Sequence, residues 1–546
     1  MRLGKRLRQL GGARAALVAF LAVEVGAVPL CLTWGNRWWF WADDWDFLAG
    51  RTAGNLGDLF RSHYQHWVTL PVLAYRLLWV LFGIRHYVPY QVLVIVLHLC
   101  AALLLRAVMR RAGVRPWVAT LVAAVFVYFG SGAENILIAF QITFVGSLVF
   151  GLVQLLLADH DGPVDRRDWF GLAAGLAGLM CSGVGVTMAV IVGVAMLLRR
   201  GWRIALLHTV PLAAAYTIWV AVSPNGSAPV SYTTQSVVQV VKFVVVGAAD
   251  VFGRLGQLPG LGVVLAVMLL VGFVVAIDRE DFAALRHQFA VPVALFVGAG
   301  VFLVVTAVVR SGQPSPVFGV ADVGPDRARQ SRYVYMLAAM LLPMLAIAAD
   351  AIAKQWRVLT VPVVALLVVG VPGNLHQLSI FTEQMEHSRD KERVIILEAP
   401  RLPIARYVPR SLAPAHFTGL SMGWLIDSLP SGRIPSPGPL TQTQIAYQSL
   451  LLVLRNAKLP TAANCHPLVR VERLVAPAFD RLTLETGTAT ITYFPPSGAP
   501  SSPTPFQSTN TSRTVVATTG PLTLEITPGL QPAELCESDV GQGTSP

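Results

Sequence analysis

Charge is scarce in this chain. Asp, Glu, Lys and Arg supply 13% of its 546 residues, 54% are hydrophobic, and the mean hydropathy is +0.59. Soluble domains carry about 25% charged and about 45–50% apolar residues even with Gly counted, so a soluble fold is excluded for most of the length. Cysteine is sparse too, at five, and none of the five has zinc-ligand spacing. A Walker loop, a GxGxxG turn, an HExxH helix and a serine elbow are all missing, which removes ATP-driven transport and the common soluble-enzyme classes. Internal repeats are also missing, and the polar residues do not gather at mid-span as a secondary transporter requires.

What the chain has is a series of long apolar runs with short basic clusters between them. A formal charge of +12 would suit nucleic acid, but the basic residues flank apolar runs, so membrane topology explains them and no nucleic-acid partner is implied. The first run follows Arg2, Lys5, Arg6, Arg8 and Arg14, with no clean small-x-small site before Trp34, and reads as an uncleaved anchor with a cytoplasmic N-terminus. The fold class is an α-helical polytopic membrane protein of about eleven spans. They fall near 14–33, 87–108, 117–130, 136–157, 169–181, 184–198, 204–222, 258–277, 289–309, 333–352 and 358–373. Runs 67–84 and 235–254 contain charges and read as interfacial or re-entrant. Clusters Arg106–Arg115 and Arg199–Arg203 then lie inside and the C-terminus outside. Loop 159–168, placed inside, opposes this with four aspartates against Arg166 and Arg167.

Residues 1–373 thus form a transmembrane domain, and 374–546 an extracytoplasmic domain of α+β or β-rich type. Residues 374–400 read as an amphipathic helix, and alternation such as Thr488-Ala-Thr-Ile-Thr-Tyr493 gives half-buried strands from about 467. Cys465 and Cys536 flank the strands, and export would permit a disulfide worth about 4 kcal/mol by chain entropy.

Three polar groups stand beside these runs. Asp43, Asp44 and Asp46 follow the first span among Trp41, Trp45 and Phe47; three carboxylates so close raise one another's pKa unless a cation, a donor or a substrate proton compensates. They read either as a catalytic base site or as a solvated acidic loop. His63 and His66 fall in the same outer loop and offer a proton relay, a phosphate hydrogen bond, or ordinary surface contacts. Glu134, Asn135 and Gln141 suit sugar hydroxyls, or hydrogen bonds between helices. The third group is basic. Arg310, Arg327, Arg329, Arg332 and Tyr333 lie in or beside an outer loop, where the positive-inside tendency disfavours arginine; they bind a lipid-linked phosphate, or pair with Asp322 and Asp326 of the same loop.

Asp43-Asp44 in the first outer loop, the late arginine loop leading into Ser331-Arg332-Tyr333, and an exported C-terminal domain resemble the GT-C superfamily of polyprenyl-phosphate-sugar glycosyltransferases. Within it, the resemblance is nearest to the actinobacterial cell-envelope arabinofuranosyl- and mannosyltransferases. It implies an inverting transferase in the plasma membrane, with Asp43 or Asp44 as general base and a polyprenyl-phosphate sugar as donor. The acceptor is a cell-envelope glycan or glycolipid, and the C-terminal domain would bind glycan. Some members use a divalent metal, which carboxylates 43, 44 and 46 could hold; no redox cofactor is needed. A lipid-linked glycan polymerase or ligase, or a transporter, is the alternative.

Overall fold

About 20 apolar residues carry a helix across a bilayer. Seven helices among the described residues are long and apolar enough: Gly11–Gly35, Val88–Arg111, Ala139–Ala158, Trp202–Val222, Arg286–Arg310, Ser331–Gln355 and Arg357–Gln384. Two helix pairs, Pro116–Val127 with Gly130–Leu137 and Val237–Gly256 with Leu261–Ile277, qualify together but bend by 45° and 103°, giving nine spans at most. The chain is therefore a multi-pass membrane protein. The structure is a computed structural model that describes residues 2–35, 38–51, 54–223, 234–278, 282–310, 324–414, 419–457, 464–476, 480–507, 512–515, 518, 520 and 522–539.

The expected count of eleven is corrected at 169–181 and 184–198. These runs form helices Arg166–Leu179 and Val184–Arg199, only 14 and 16 residues long. The expected division at 373/374 falls inside one continuous helix, Val371–Glu398, whose first half belongs to the apolar stretch Arg357–Gln384. Contacts group the residues into two units. One is helical and comprises Met1–Trp38, Thr52–Leu78 and Tyr87–Glu386; the other comprises Trp39–Arg51, Trp79–His86 and His387–Pro546.

The helical unit is built around Ser331–Gln355, whose apolar window is buried throughout. Small residues let neighbours approach it, as membrane helices require where lipid gives no hydrophobic drive. A Cβ on Gly272 would stand 2.4 Å from the Ala348 carbonyl oxygen. Inside the bundle His98 is satisfied on both nitrogens, by the Tyr335 hydroxyl at 2.9 Å and the Val127 carbonyl at 3.1 Å. A stack of Trp67 on Trp219, with ring centroids 5.5 Å apart, joins Leu179 and Leu212 in a second core cluster.

Three of the four aspartates of loop 159–168 meet the basic clusters that flank the apolar runs, and Asp165 pairs with Arg167 of its own loop. Asp159 pairs with Arg199 at 2.9 Å and Arg111 at 3.7 Å. Asp168, wholly buried, accepts from Arg200 at 2.5 Å and from His160 and His208 at 3.0 Å each. Burial alone would raise the Asp168 pKa, but hydrogen bonds from Arg200, His208, the Asp165 amide and His160 outweigh it and hold the carboxyl below its usual range. The acidic loop and the clusters at 111 and 199–200 thus share one end of the unit. Breaking a buried pair by removing one partner costs about 3–5 kcal/mol. Asp168→Ala is therefore expected to lower the melting midpoint of the detergent-solubilised protein by several degrees, and an unchanged midpoint would show the cluster to be energetically neutral.

Among the described residues the second unit contains nine strands: β1 (Leu454–Ala457), β2 (Asn464–Leu468), β3 (Glu472–Ala476), β4 (Asp480–Thr486), β5 (Thr488–Phe494), β6 (Thr504–Gln507), β7 (Ser512–Val515), β8 (Leu522–Pro528) and β9 (Ala533–Asp539). They pair antiparallel into two sheets, ordered β1-β7-β4-β9-β2 and β3-β8-β5-β6. Strict alternation on β5 buries Ala489, Ile491 and Tyr493 against the interior, as its sequence pattern requires. Cys465 and Cys536 lie directly opposite on β2 and β9, with Cα atoms 4.1 Å apart, and are bonded. At the β4–β5 turn Gly487 has φ 75°, and a Cβ there would strike the Pro532 carbonyl.

Candidate functional site

The acidic segment belongs to the second unit. Asp43–Leu48 forms a six-residue helix that follows Ala42, whose φ of 45° is unusual for a residue with a Cβ. Trp39 packs edge to face with Phe40 and Trp45 at 5.7 and 5.4 Å between centroids, Phe40 lies tilted against Trp45 at 5.8 Å, and Trp45 meets Trp424 at 6.4 Å. The backbone of Gly419 presses so close that a Cβ would stand 2.9 Å from the Cα of Asp46. Aromatic packing therefore fixes the helix. Its three carboxylates have different surroundings. Asp44 is buried and its Oδ2 accepts from the Trp41 amide at 2.9 Å. Asp46 pairs at 2.9 Å with Arg51, itself buried. Asp43 is half-exposed.

The three do not form a cation cage. Among the described residues the one group with metal-ligand atoms within 4.8 Å of one another is His160, Asp165 and Asp168, and there Arg200 already supplies the cation. A divalent metal at 43, 44 and 46, which the resemblance leaves open, finds no group of three ligand atoms within 4.8 Å of one another there.

The other groups belong to the helical unit. His63 and His66 are joined by a two-residue turn, with hydrogen bonds from the His63 amide to the His66 carbonyl at 3.0 Å and back at 2.8 Å. Both central residues, Tyr64 at φ 44° and Gln65 at φ 72°, are left-handed, as in a tight hairpin connection, yet neither is Gly or Asn. Trp67 donates to Thr69, and Thr69 to the Leu59 carbonyl, which clamps the base of the turn. The His63 ring packs on Phe140 at 5.3 Å. His66 is half-buried and its Nδ1 accepts from the Gly183 amide at 3.1 Å. Burial and the charges of Arg310, His63 and Arg332 push its pKa down to about 3, so it is neutral at physiological pH.

Gly130-Ser131-Gly132 breaks the third apolar run, since a Cβ on Gly130 would collide with the Asn374 carbonyl while the Ser131 amide donates to the Asn374 side chain at 2.9 Å. Ala133–Leu137 and Ala139–Gln141 follow as short helical turns instead of the expected simple loop. They dock on the start of Ser331–Gln355. The Glu134 amide donates to Ser331 Oγ at 3.2 Å, Asn135 Nδ2 to the Arg332 carbonyl at 3.2 Å, and the Arg332 guanidinium stands 3.8 Å from Glu134 Oε2. Four acceptors in this stretch, Glu134 Oε2, Asn135 Oδ1, Gln141 Oε1 and Thr143 Oγ1, are buried without a hydrogen bond among the described residues. Buried acceptors left unmet are costly and mark where a donor is wanted.

The arginines separate into three roles. Arg332 lies over the Tyr333 ring at 5.3 Å and bonds Gln330 at 2.7 Å; Tyr333 itself is buried beside Phe243 and Phe302 and is a core aromatic. Arg327 is buried and donates to the Arg310 carbonyl at 3.1 Å, holding the end of the preceding helix. Arg329 turns away to Asp326 of its own loop at 3.3 Å, with both side chains half-exposed. Asp322 lies outside the described residues. The structure thus brings Glu134, Asn135 and Arg332 together and leaves Arg329 out. Sequence reasoning missed Gly183, whose amide holds the His66 ring; its only signal was a Ser-Gly step between two apolar runs.

No protein-family model matches this sequence, and no curated protein is similar to it. Among solved structures, the crystal structure of ArnT from Cupriavidus metallidurans in the apo state superposes with a TM-score of 0.43 at 12% identity, over 78% of this chain and 89% of that one. A likeness this weak carries no argument.

Proposed function

We propose that the protein is an inverting glycosyltransferase that moves a sugar from a polyprenyl-phosphate donor to a glycan or glycolipid acceptor at the outer membrane–water boundary. The observation that carries this reading is the Arg332 guanidinium beside Glu134 and Asn135 at the start of Ser331–Gln355, next to the buried Asn135 and Gln141 side-chain oxygens that no hydrogen bond among the described residues meets. Guanidinium groups hold a phosphate, and Glu134, Asn135 and Gln141 offer acceptors for sugar hydroxyls. Asp43 is the preferred base of the pair Asp43 and Asp44, because it is half-exposed where Asp44 is buried. It takes the proton of the acceptor hydroxyl while that oxygen attacks the anomeric carbon; the C–O bond to the phosphate breaks on the opposite face and the lipid phosphate leaves with the electron pair. Phosphate is already a good leaving group, so positioning and charge supply most of the acceleration.

The test is donor turnover by the purified protein in nanodiscs, with radiolabelled polyprenyl-phosphoryl arabinofuranose and mannose offered first. Release of polyprenyl phosphate together with a labelled acceptor supports the reading; an inert donor in every combination rejects it. The reading also places the acidic segment and the C-terminal unit outside. Reporter fusions are expected to report residue 112 as cytoplasmic and residue 400 as external, and a cytoplasmic residue 400 would reverse the orientation.

A further inference from the structure

Helices Val184–Arg199 and Trp202–Val222 are joined by the short turn Arg200-Gly201, and between them runs a groove of about 500 Å³. Its walls are apolar. Val194 and Leu197 come from the first helix and Trp202 and Leu206 from the second, and Leu197, Trp202 and Leu206 are exposed. Gly193 and Thr209 make the floor: a Cβ on residue 193 would lie 2.6 Å from Thr209 Cγ2, so glycine lets the helices touch below the groove. An apolar trough of this size would be a liability in water, but this one runs along a membrane-spanning helix and meets lipid. Leu197 and Trp202 flank the turn, so one end of the groove opens among basic residues. Arg199 is held there by Asp159 and Asp161, and Arg200 by Asp168. Arg203 differs from both. It is exposed, makes no ion pair among the described residues, and its guanidinium lies 5.5 Å over the ring of Trp202. Trp202 begins its span, so the two side chains stand at a membrane–water boundary, where amphipathic rings and long cationic side chains settle.

We propose that this groove binds one anionic phospholipid, with an acyl chain along Val194, Leu197 and Leu206 and the phosphate on Arg203 beside the Trp202 ring. A neutral lipid would fill the apolar trough equally well, so the unpaired cation at its mouth decides the class. In the orientation proposed above this end faces the cytoplasm, whose leaflet carries the anionic lipids. Neither the sugar donor nor the catalytic base enters this site, and either orientation leaves Trp202 at a membrane boundary.

The test is native mass spectrometry of the full chain, delipidated in detergent and offered dioleoyl phosphatidylglycerol or dioleoyl phosphatidylcholine, which differ in charge and share their chains. The parent is expected to hold phosphatidylglycerol about fivefold more tightly, the worth of one arginine near an anionic headgroup. Arg203→Gln should bring the two lipids to equal affinity. Arg166→Gln, exposed on the loop that meets Arg200 but outside the groove, should keep the preference. Val194→Phe, which fills the groove from one wall, should weaken both lipids alike, and glycerol phosphate, which has the charge and no chains, should displace neither. Arg203 is exposed, so its variant carries the test even where the groove-filling one fails to fold. An unchanged preference in Arg203→Gln would overturn the proposal, as would an equal loss in Arg166→Gln, the mark of general surface charge. Undiminished lipid binding in folded Val194→Phe, or release of the lipid by glycerol phosphate, would overturn it too. A lipid-free dimer of the parent that Val194→Phe dissociates would do the same, by making a second copy of the chain the occupant.

Discussion

Asp43→Asn is expected to abolish glycosyl transfer while leaving donor binding and folding intact. The amide keeps the shape of the carboxylate but cannot take a proton, and loss of a general base costs about 10²–10⁴-fold in rate. The neighbouring carboxylates give this result a contrast. Asp44→Asn leaves an oxygen able to accept from the Trp41 amide, and is expected to lower the rate only a few-fold, through the turn that it helps to hold. Asp46→Asn breaks the pair with buried Arg51 and should act on stability first. Turnover close to wild type in both Asp43→Asn and the Asp43/Asp44 double variant would end the assignment of a base to this segment.

Arg332→Ala is expected to weaken the lipid-phosphate donor by about tenfold to a hundredfold, the worth of a charge-assisted contact of about 1.5–3 kcal/mol. Lys should recover only part of that, since it keeps the charge and loses the two-pronged donor. Arg329→Ala should bind as the parent does, because Arg329 already faces Asp326 at the surface. Arg327→Ala should fail differently. Its guanidinium holds the Arg310 carbonyl from a buried position, so the variant is expected to lose stability along with affinity. Equal donor affinity in Arg329→Ala and Arg332→Ala would mean that Arg332 is only an ion partner of Glu134.

Much of the architecture was legible because hydropathy and alternation are local properties. The long spans and the strand Thr488–Phe494 followed from spacing alone. The runs at 169–181 and 184–198 misled because apolar composition does not say whether a helix faces lipid or other helices, and these two are too short to cross. The break at Gly130-Ser131-Gly132 depends on Asn374, 243 residues from Ser131, and no window along the chain contains both. Among candidate site residues, residue type put Asp43, Arg332 and Glu134 forward as proposals. It did not separate Arg332 from Arg329, since both follow an aspartate in one loop and only the fold decides which meets Glu134. Nor did it predict that His66 would be neutral: that depends on Gly183 and on two distant arginines.

The most direct measurement is single-turnover transfer from a radiolabelled polyprenyl-phosphoryl sugar to an envelope-glycan acceptor, using the purified protein and its Asp43→Asn variant side by side. The account predicts that the wild type releases one polyprenyl phosphate for each sugar transferred with inverted anomeric configuration, and that the variant binds the donor equally but transfers nothing. Retention of configuration, or equal transfer by the two proteins, would contradict it.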